Sequence, residues 1–337
     1  MDIVSDVLRN VRMSGAFFFS AMNYAPWVCG EPRCSEIRAR VMPDHQFVIP
    51  FHVILSGKCW IENVGPEPSV QRFEAGDIAV FPKGDPHFMM SDQGMRLQID
   101  PAFFDPPPGR KQRLRYVVNG DHGRPVDCRF VCGFVGCDVR PFNPLLDSLP
   151  RMFRARASDA NRDWLASMAE FAVAESERDA PGGETMLAKL ADLMFAEVVR
   201  QHIDDPAQTA RGWISGLRDS HVGAALHLLH DRPTETWTLE SLARAVGMSR
   251  TVFAERFAQL VGMPAITYLV RWRLTLAARL LEDPSVSVAQ AGADVGYESE
   301  SAFQRAFKKF VGETPAVWRK GAGALPVTAQ SRPELAE

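Results

Sequence analysis

Residues with the chemistry of a ligand site fall in the first half of the chain. His45, His52, Glu62 and His87 carry the imidazole nitrogens and carboxylate oxygens that suit divalent transition metals. A metal-dependent site needs about three or four such donors converging on one point. His87 closes the run Gly76-Asp-Ile-Ala-Val-Phe-Pro82-Lys-Gly84-Asp-Pro-His87, a Gly-x5-Pro-x-Gly-x2-His pattern. In it Gly76-Asp77 launches a short strand, Pro82 stops it, and Gly84 lets the chain fold back and aim His87. His52 precedes Leu55-Ser56-Gly57, but Ile54 stands where a second histidine would complete His-x-His. The alternative for these histidines is hydrogen bonding inside their domain or at its edge.

Four thiols, Cys29, Cys34, Cys132 and Cys137, are redox candidates. Cys29 and Cys34 flank a Pro-containing loop that could fold back on itself. Cys128 and Cys132, if on one strand, share a face but lie ~13 Å apart. A disulfide needs Cα atoms within about 7 Å. Gly133 and Gly136 would permit a bend that brings Cys137 near Cys132. No Cys-x2-Cys pair of the zinc type occurs. Buried, inert thiols are the alternative.

A second set of residues suits contact with bases and phosphates, and it recurs. The first copy reads Leu239-Glu-Ser-Leu-Ala243-Arg-Ala-Val-Gly247-Met-Ser249, then Phe253, Phe257, Val261-Gly262 and Pro264. The second reads Val288-Ala-Gln-Ala-Gly-Ala293-Asp-Val-Gly296-Tyr-Glu-Ser299, then Phe303, Phe307, Val311-Gly312 and Pro315. The offset is about 50 residues, the mark of a duplicated structural unit. In each copy an apolar-faced helix ends at a glycine able to take positive φ. Ser249 and Ser299 are natural N-caps for the helix that follows. Its Phe-x3-Phe pair faces inward, so Arg250, Thr251, Ala254, Glu255 and Arg256 face out in the first copy. Glu300, Ser301, Gln304, Arg305, Lys308 and Lys309 face out in the second. Helices of this kind enter the major groove and read base edges, Arg with guanine and Gln with adenine. Arg271, Arg319 and Lys320 are further available cations. Glu255 is a carboxylate, which phosphate repels, so the second copy has the better chemistry for DNA.

The elements that must position these residues differ along the chain. Residues 1 to about 150 carry short apolar runs cut by Pro, Gly and Asp, such as Phe51-His52-Val53-Ile54-Leu55, Ile78-Ala79-Val80-Phe81 and Arg129-Phe130-Val131-Cys132. These predict the short strands of a barrel or sandwich. Helical spacing then predicts a hairpin over about 160–203, broken at Pro181-Gly182-Gly183. A linker is expected at 204–216, an all-α domain at 217–320 and a disordered tail at 321–337. Within 217–320, Ala265 to Glu282 predicts a spacer helix of ~27 Å between the two reading heads. The fold class is therefore α+β, an N-terminal β-barrel with a helical hairpin in 1–203, then an all-α domain with two helix-turn-helix units.

The whole chain sets outer bounds. It has 337 residues, room for about two domains, and its 46% hydrophobic and 23% charged content is that of a globular protein. Ala16-Phe17-Phe18-Phe19 is far below the ~20 apolar residues of a membrane helix. Asp2 and Asp6 at the start do not fit a signal peptide, so a cytoplasmic protein with reduced thiols and no membrane partner is expected. The net charge is −3, and Ser215 to Lys320 holds 13 Lys and Arg against 11 Asp and Glu. DNA affinity must then come from a few well-placed contacts and from pairing two protomers.

At 215–320 the chain resembles the DNA-binding domain of the AraC/XylS family, on Gly296-Tyr297-Glu298-Ser299, Ser301-Ala302-Phe303, Arg305-Ala306-Phe307-Lys308, Pro315 and Trp318-Arg319. The Gly76–His87 run resembles the second motif of the cupin β-barrel, with Ser91 where that motif usually has Asn. Together the halves resemble AraC-type regulators with a cupin-type sensor. The resemblance implies a transcription regulator rather than an enzyme, an activator working with RNA polymerase. It further implies a homodimer on double-stranded DNA, formed through the hairpin, and an unknown small-molecule effector or redox signal at the barrel. No cofactor is fixed by the resemblance, and a divalent metal in the barrel is open. The alternative is a metal-dependent cupin enzyme with a helical appendage.

Overall fold

The computed structural model describes residues 2–9, 12–105, 116–121, 123–138, 142–156, 162–178, 180–205 and 212–322. The chain divides into two units. One is Val7–Val139 with Pro144–Ser215; the other is Met1–Asp6, Arg140–Asn143 and Gly216–Glu337. The chain passes from one to the other within α1 (Ile3–Arg9) and, later, within a helix at Gly212–Arg218.

The first unit is a nine-stranded, barrel-like sheet. Its strands are β1 (Arg12–Tyr24), β2 (Val28–Glu31), β3 (Phe47–Asn63), β4 (Ser69–Glu74), β5 (Asp77–Val80), β6 (His87–Met90), β7 (Tyr116–Gly120), β8 (Cys128–Asp138) and β9 (Phe153–Arg156). The main path runs β2-β6-β3-β8-β1-β7, with β4 and β5 on β3 and β9 on β5. Pairing is antiparallel except between β1 and β7. Helix α2 (Cys34–Val41) follows β2, and α3 (Pro144–Ser148) precedes β9.

Strands β1, β3 and β8, with 13, 17 and 11 residues, are longer than the short strands expected. The cause is burial on both faces. Val48 and Ile54 of β3, with Cys128, Phe130, Cys132 and Phe134 of β8, enter the barrel core. Alternating with them, Ile49 and Phe51 of β3 and Val135 of β8 face Ala191, Met194, Phe195 and Val198 of the hairpin. Two-sided burial erases the apolar–polar alternation by which a strand's length is read.

Strand β3 bends. Its first part pairs with β8 and β5, its second with β4 and β6, and the β8 register shifts between Ile54 and Ser56. Gly57 takes φ 76°, and a Cβ there would lie 1.9 Å from the Asp127 carbonyl oxygen. Only glycine fits such a bulge.

The hairpin is α4 (Arg162–Arg178) and α5 (Gly183–Asp204), within two residues of the expected 160–203 at either end. It buries Leu165, Ala169 and Ala172 from α4 and Leu187, Leu190, Met194, Val198 and Val199 from α5. The linker expected at 204–216 is shorter than that. Residues 206–211 lie outside the described residues, and 212–216 belong to α6 (Gly212–Arg218), where Trp213 and Ile214 are buried.

The second unit is helical: α7 (Ser220–Asp231), α8 (Leu239–Ala245), α9 (Arg250–Val261), α10 (Ala265–Leu280), α11 (Val288–Asp294), α12 (Glu300–Val311) and α13 (Pro315–Ala322). The duplication is visible in atomic detail. Gly247 and Gly296 have φ 71° and 87°. The next amide in each, Met248 or Tyr297, returns to the carbonyl five residues back, at 2.9 and 3.0 Å. This is the Schellman stop of a helix. Ser249 and Ser299 then cap α9 and α12 through the amides of Val252 and Ala302. Phe253–Phe257 and Phe303–Phe307 have ring centroids 5.7 and 5.5 Å apart at 60° and 67°. The second turn holds one extra residue, Glu298, which explains an offset of 49 at the glycines and 50 at the serines. Helix α10 has 16 residues, ~24 Å, two residues shorter than expected. Helix α13 runs to Ala322, past the expected end of the domain, and residues 323–337 of the expected tail lie outside the described residues.

Candidate DNA-reading surface and barrel ligand cluster

Helices α9 and α12 present their expected faces. Ser249, Arg250, Thr251, Glu255 and Arg256 are exposed, with Ala254 half-buried above the Phe253–Phe257 pair. Ser299, Glu300, Ser301, Gln304, Arg305, Lys308 and Lys309 are all exposed. Val252, 52% exposed on α9, is an apolar member of the same surface that the polar pattern had hidden. An exposed apolar group can meet a thymine methyl.

The cations are not equivalent. Arg256 is bound to Asp219, Arg271 lies over the rings of Phe142 and Phe310 at 5.6 and 5.9 Å, and Arg319 donates to the Val286 carbonyl. These three, expected as DNA contacts, brace their own domain. Gln304 donates to Glu300 at 2.7 Å along one face of α12, and Lys309 lies 5.4 Å from the Phe310 ring. Arg250, Arg305 and Lys308 have no ion-pair partner among the described residues. The second copy therefore keeps the denser set of unengaged cations.

In the barrel, His52 and His87 meet, as their types suggested. His52 Nε2 lies 2.8 Å from His87 Nε2. The third member is Glu31, with Oε1 3.7 Å from His52 Nε2 and Oε2 3.6 Å from His87 Nε2. Glu31 ends β2 directly opposite His87 on β6, and β3 delivers His52 from its other half. All three are buried. Burial pushes the Glu31 carboxyl up to about 8 and the His87 imidazole down to about 4. Burial and the neighbouring His87 hold His52 well below the usual histidine range.

The surroundings fix both rings. His87 Nδ1 is 2.9 Å from the Asp85 carbonyl, and its ring stacks on Phe81 at 3.7 Å. Asp85 is itself held by Arg33 at 3.0 Å and Arg151 at 2.7 Å. His52 Nδ1 is 3.1 Å from Cys132 Sγ.

The other expected ligands lie elsewhere. His45 rests across Gly15 and Gly136, register partners on β1 and β8, whose missing Cβ atoms make its slot. Glu62 faces away from the cluster and pairs with Arg96 at 2.6 Å, because it alternates with the inward Ile61. Glu31 was missed: no motif links it to His52 or His87. Its signal was a lone carboxylate ending an apolar run, Trp27-Val28-Cys29-Gly30.

All six cysteines are free, five buried and Cys29 half-buried. The bend that Gly133 and Gly136 would permit between Cys132 and Cys137 is absent. β8 keeps its pairing with β3 through Gly133 and Gly136, which face Phe51 and Val48 in the ladder. Five residues of strand hold the two cysteines ~16 Å apart, beyond disulfide reach. Cys29, opposite Met89 on β2, and Cys34, opening α2, are also unbridged.

A barrel with a buried ligand-type cluster, followed by two capped helix-turn-helix units with polar outer faces, defines a DNA-binding regulator with a sensor-type domain. Comparison with known families agrees: residues 2–204 match a family described as cupin, and 242–321 one described as helix-turn-helix domain. The chain is 32% identical over 278 residues to the HTH-type transcriptional regulator AlkR of Acinetobacter baylyi, covering 80% of this chain and 87% of that one. It is 30% identical over 278 residues to a Streptomyces lividans protein named for AraC-like transcription regulation, covering 82% and 88%. It is 31% identical over 177 residues to the RCS-specific HTH-type transcriptional activator RclR of Escherichia coli, covering 52% and 62%. The chain belongs to the AraC-type transcriptional regulators with an N-terminal cupin domain. It is a regulator rather than a metal-dependent enzyme. Among the described residues no helix is long and apolar enough to cross a membrane.

Proposed function

We propose that the chain acts in the cytoplasm as a homodimer that binds an operator through α9 and α12 and activates transcription with RNA polymerase. In this reading the barrel registers a small-molecule or redox signal. The carrying observation for DNA reading is the exposed face of α12, where Gln304, Arg305, Lys308 and Lys309 stand outside a core closed by Phe303 and Phe307. Arg supplies bidentate base contact, and Lys neutralises phosphate. The modest basicity of the domain argues for two protomers sharing one operator.

Dimer formation is supported by the hairpin. Trp164 and Phe171 on α4, and Met186 and Leu193 on α5, are 37% to 49% exposed. Each pair is seven residues apart, two helical turns, so it lies on one side of its helix. Large apolar side chains grouped like this mark an interaction surface. Activation has support in the name of the Escherichia coli relative.

Selection of bound sequences from a random DNA pool by the full-length chain, with sedimentation of the enriched complex, tests this reading. A recurrent motif bound by two chains is expected. Enrichment without sequence preference would sink the specific-regulator reading, and one chain per site would sink the dimer.

A further inference from the structure

We propose that Glu31, His52 and His87 hold one divalent first-row transition-metal ion, with zinc the best fit, inside the barrel. The proposal is independent of how the chain reads DNA.

Proton bookkeeping raises the question. His87 Nδ1 faces a carbonyl oxygen, which has only lone pairs, so Nδ1 carries the proton and Nε2 is bare. His52 Nε2 points at that bare nitrogen from 2.8 Å. Without a cation, His52 must donate through Nε2 while its Nδ1 accepts from the Cys132 thiol. That arrangement satisfies both rings but not Glu31. Among the described residues Glu31 Oε2 is buried with no hydrogen-bond partner, so it keeps its full desolvation penalty. Arg33, two residues along the chain, is bound to Asp85 instead. A metal ion at the centre resolves both points. His52 then carries its proton on Nδ1 toward Cys132 Sγ, both Nε2 lone pairs bind the ion, and Glu31 becomes its carboxylate ligand.

The geometry fits. The three ligand atoms lie within 4.8 Å of one another. Tetrahedral zinc with bonds of ~2.0–2.2 Å places its ligand atoms roughly 3.3–3.6 Å apart. The two imidazole nitrogens, 2.8 Å apart, must open by about half an ångström, and Glu31 reaches His52 with Oε1 at 3.7 Å and His87 with Oε2 at 3.6 Å, so a turn of its carboxylate brings one oxygen to the centre. Two imidazoles and one carboxylate suit zinc and its neighbours, whereas calcium and magnesium take oxygen shells. The supporting contacts are those of a metal site: Asp85 and Cys132 orient the distal ring nitrogens, and Phe81 fixes the His87 plane. With only three protein ligands, one position stays open to water or to an oxygen or nitrogen donor of a small molecule.

The test uses full-length protein refolded from denaturant with and without zinc, because fully buried ligands take up metal as the barrel closes. After gel filtration, elemental analysis should find about one zinc per chain, and the loaded form should melt higher than the metal-free form. Glu31→Gln and His87→Gln should each weaken zinc binding by about 10–100-fold or more. Cobalt loading should give intense tetrahedral bands in wild type without thiolate-to-metal charge transfer, since Cys132 stands behind His52. Wild-type protein that refolds yet carries substoichiometric zinc overturns the proposal. So does zinc uptake unchanged in Glu31→Gln, or a cobalt spectrum that reports thiolate ligation. If a variant fails to fold, the wild-type stoichiometry and cobalt spectrum still decide.

Discussion

Arg256 on α9 donates through Nε and a terminal nitrogen to the same oxygen of Asp219, at 2.8 and 2.5 Å, while Asp219 caps α7 through the amides of His221 and Val222. A cation on the reading helix is thereby committed to holding that helix against α7. Asp219→Ala should cost about 1–2 kcal/mol, chiefly for the lost cap. Arg256→Ala should cost less than about 1 kcal/mol, since the pair is half-exposed on the Arg side. Urea unfolding of both variants measures this. If Arg256→Ala folds normally but relaxes base preference, Arg256 reads DNA after all.

The same carboxylate sets an acid limit. Burial alone would raise the Asp219 pKa, but the Val222 amide, the Arg256 guanidinium and the His221 amide outweigh it and hold it below the usual range. A depressed carboxylate contributes stability that is complete above its unfolded value near 4 and is lost as pH falls through the folded value. Asp219→Asn should therefore lose most stability near neutral pH and converge on wild type toward pH 3. Parallel melting curves across that range would refute it.

Arg305 and Lys308 sit three apart on α12, both exposed, yet differ in what they can recognise. Arg305→Ala should cost about 1–3 kcal/mol at the preferred site and broaden selection at one position. Lys308→Ala should weaken all sequences alike and reduce the salt slope by about one. Identical behaviour in a randomised-site selection would mean that α12 is docked differently.

On the hairpin, Phe171→Glu or Leu193→Glu places a charge on the exposed apolar side without touching the buried stripe. Each should shift sedimentation toward monomer while leaving the melting of the barrel near wild type. A dimer of unchanged affinity in both variants would move the interface off these helices.

Gly57→Ala tests the bend of β3. The added Cβ meets the Asp127 carbonyl at 1.9 Å in a left-handed backbone, so the loss should exceed about 2 kcal/mol. Ser56→Ala, exposed beside it, should fall within ~0.5 kcal/mol. Chemical denaturation of the pair checks the contrast.

The second unit was legible because its signals are local. Gly247, Ser249, Phe253 and Phe257 specify stop, cap and buried stripe within eleven residues, and the repetition at Gly296 to Phe307 corroborates each. The barrel was legible in class but not in detail. β3 and β8 bury both faces, so periodicity could not fix their lengths. His52 and His87 were found by type, whereas Glu31 enters through the pairing of β2 with β6, which no short-range pattern encodes. His45 and Glu62 were proximate in sequence only; strand alternation sends Glu62 out, and a glycine pair receives His45. Arg256, Arg271 and Arg319 looked free because a cation's partner is invisible until the fold is known.

Helix α10 supplies Tyr268 and Trp272 at one end to the buried interior and Leu274, Ala277 and Ala278 beyond them to the core that holds Phe303 and Phe307. One unbroken rod thus serves as a shared wall, and its length cannot be adjusted. The genetic consequence falls on the promoter. Base substitutions in a bound operator should be tolerated in graded fashion, position by position. Insertion or deletion of a single base pair between the two contacted segments moves one of them by about 3.4 Å along the duplex and rotates it about the axis. Operators of this regulator should therefore drift in sequence across promoters while keeping a fixed internal length.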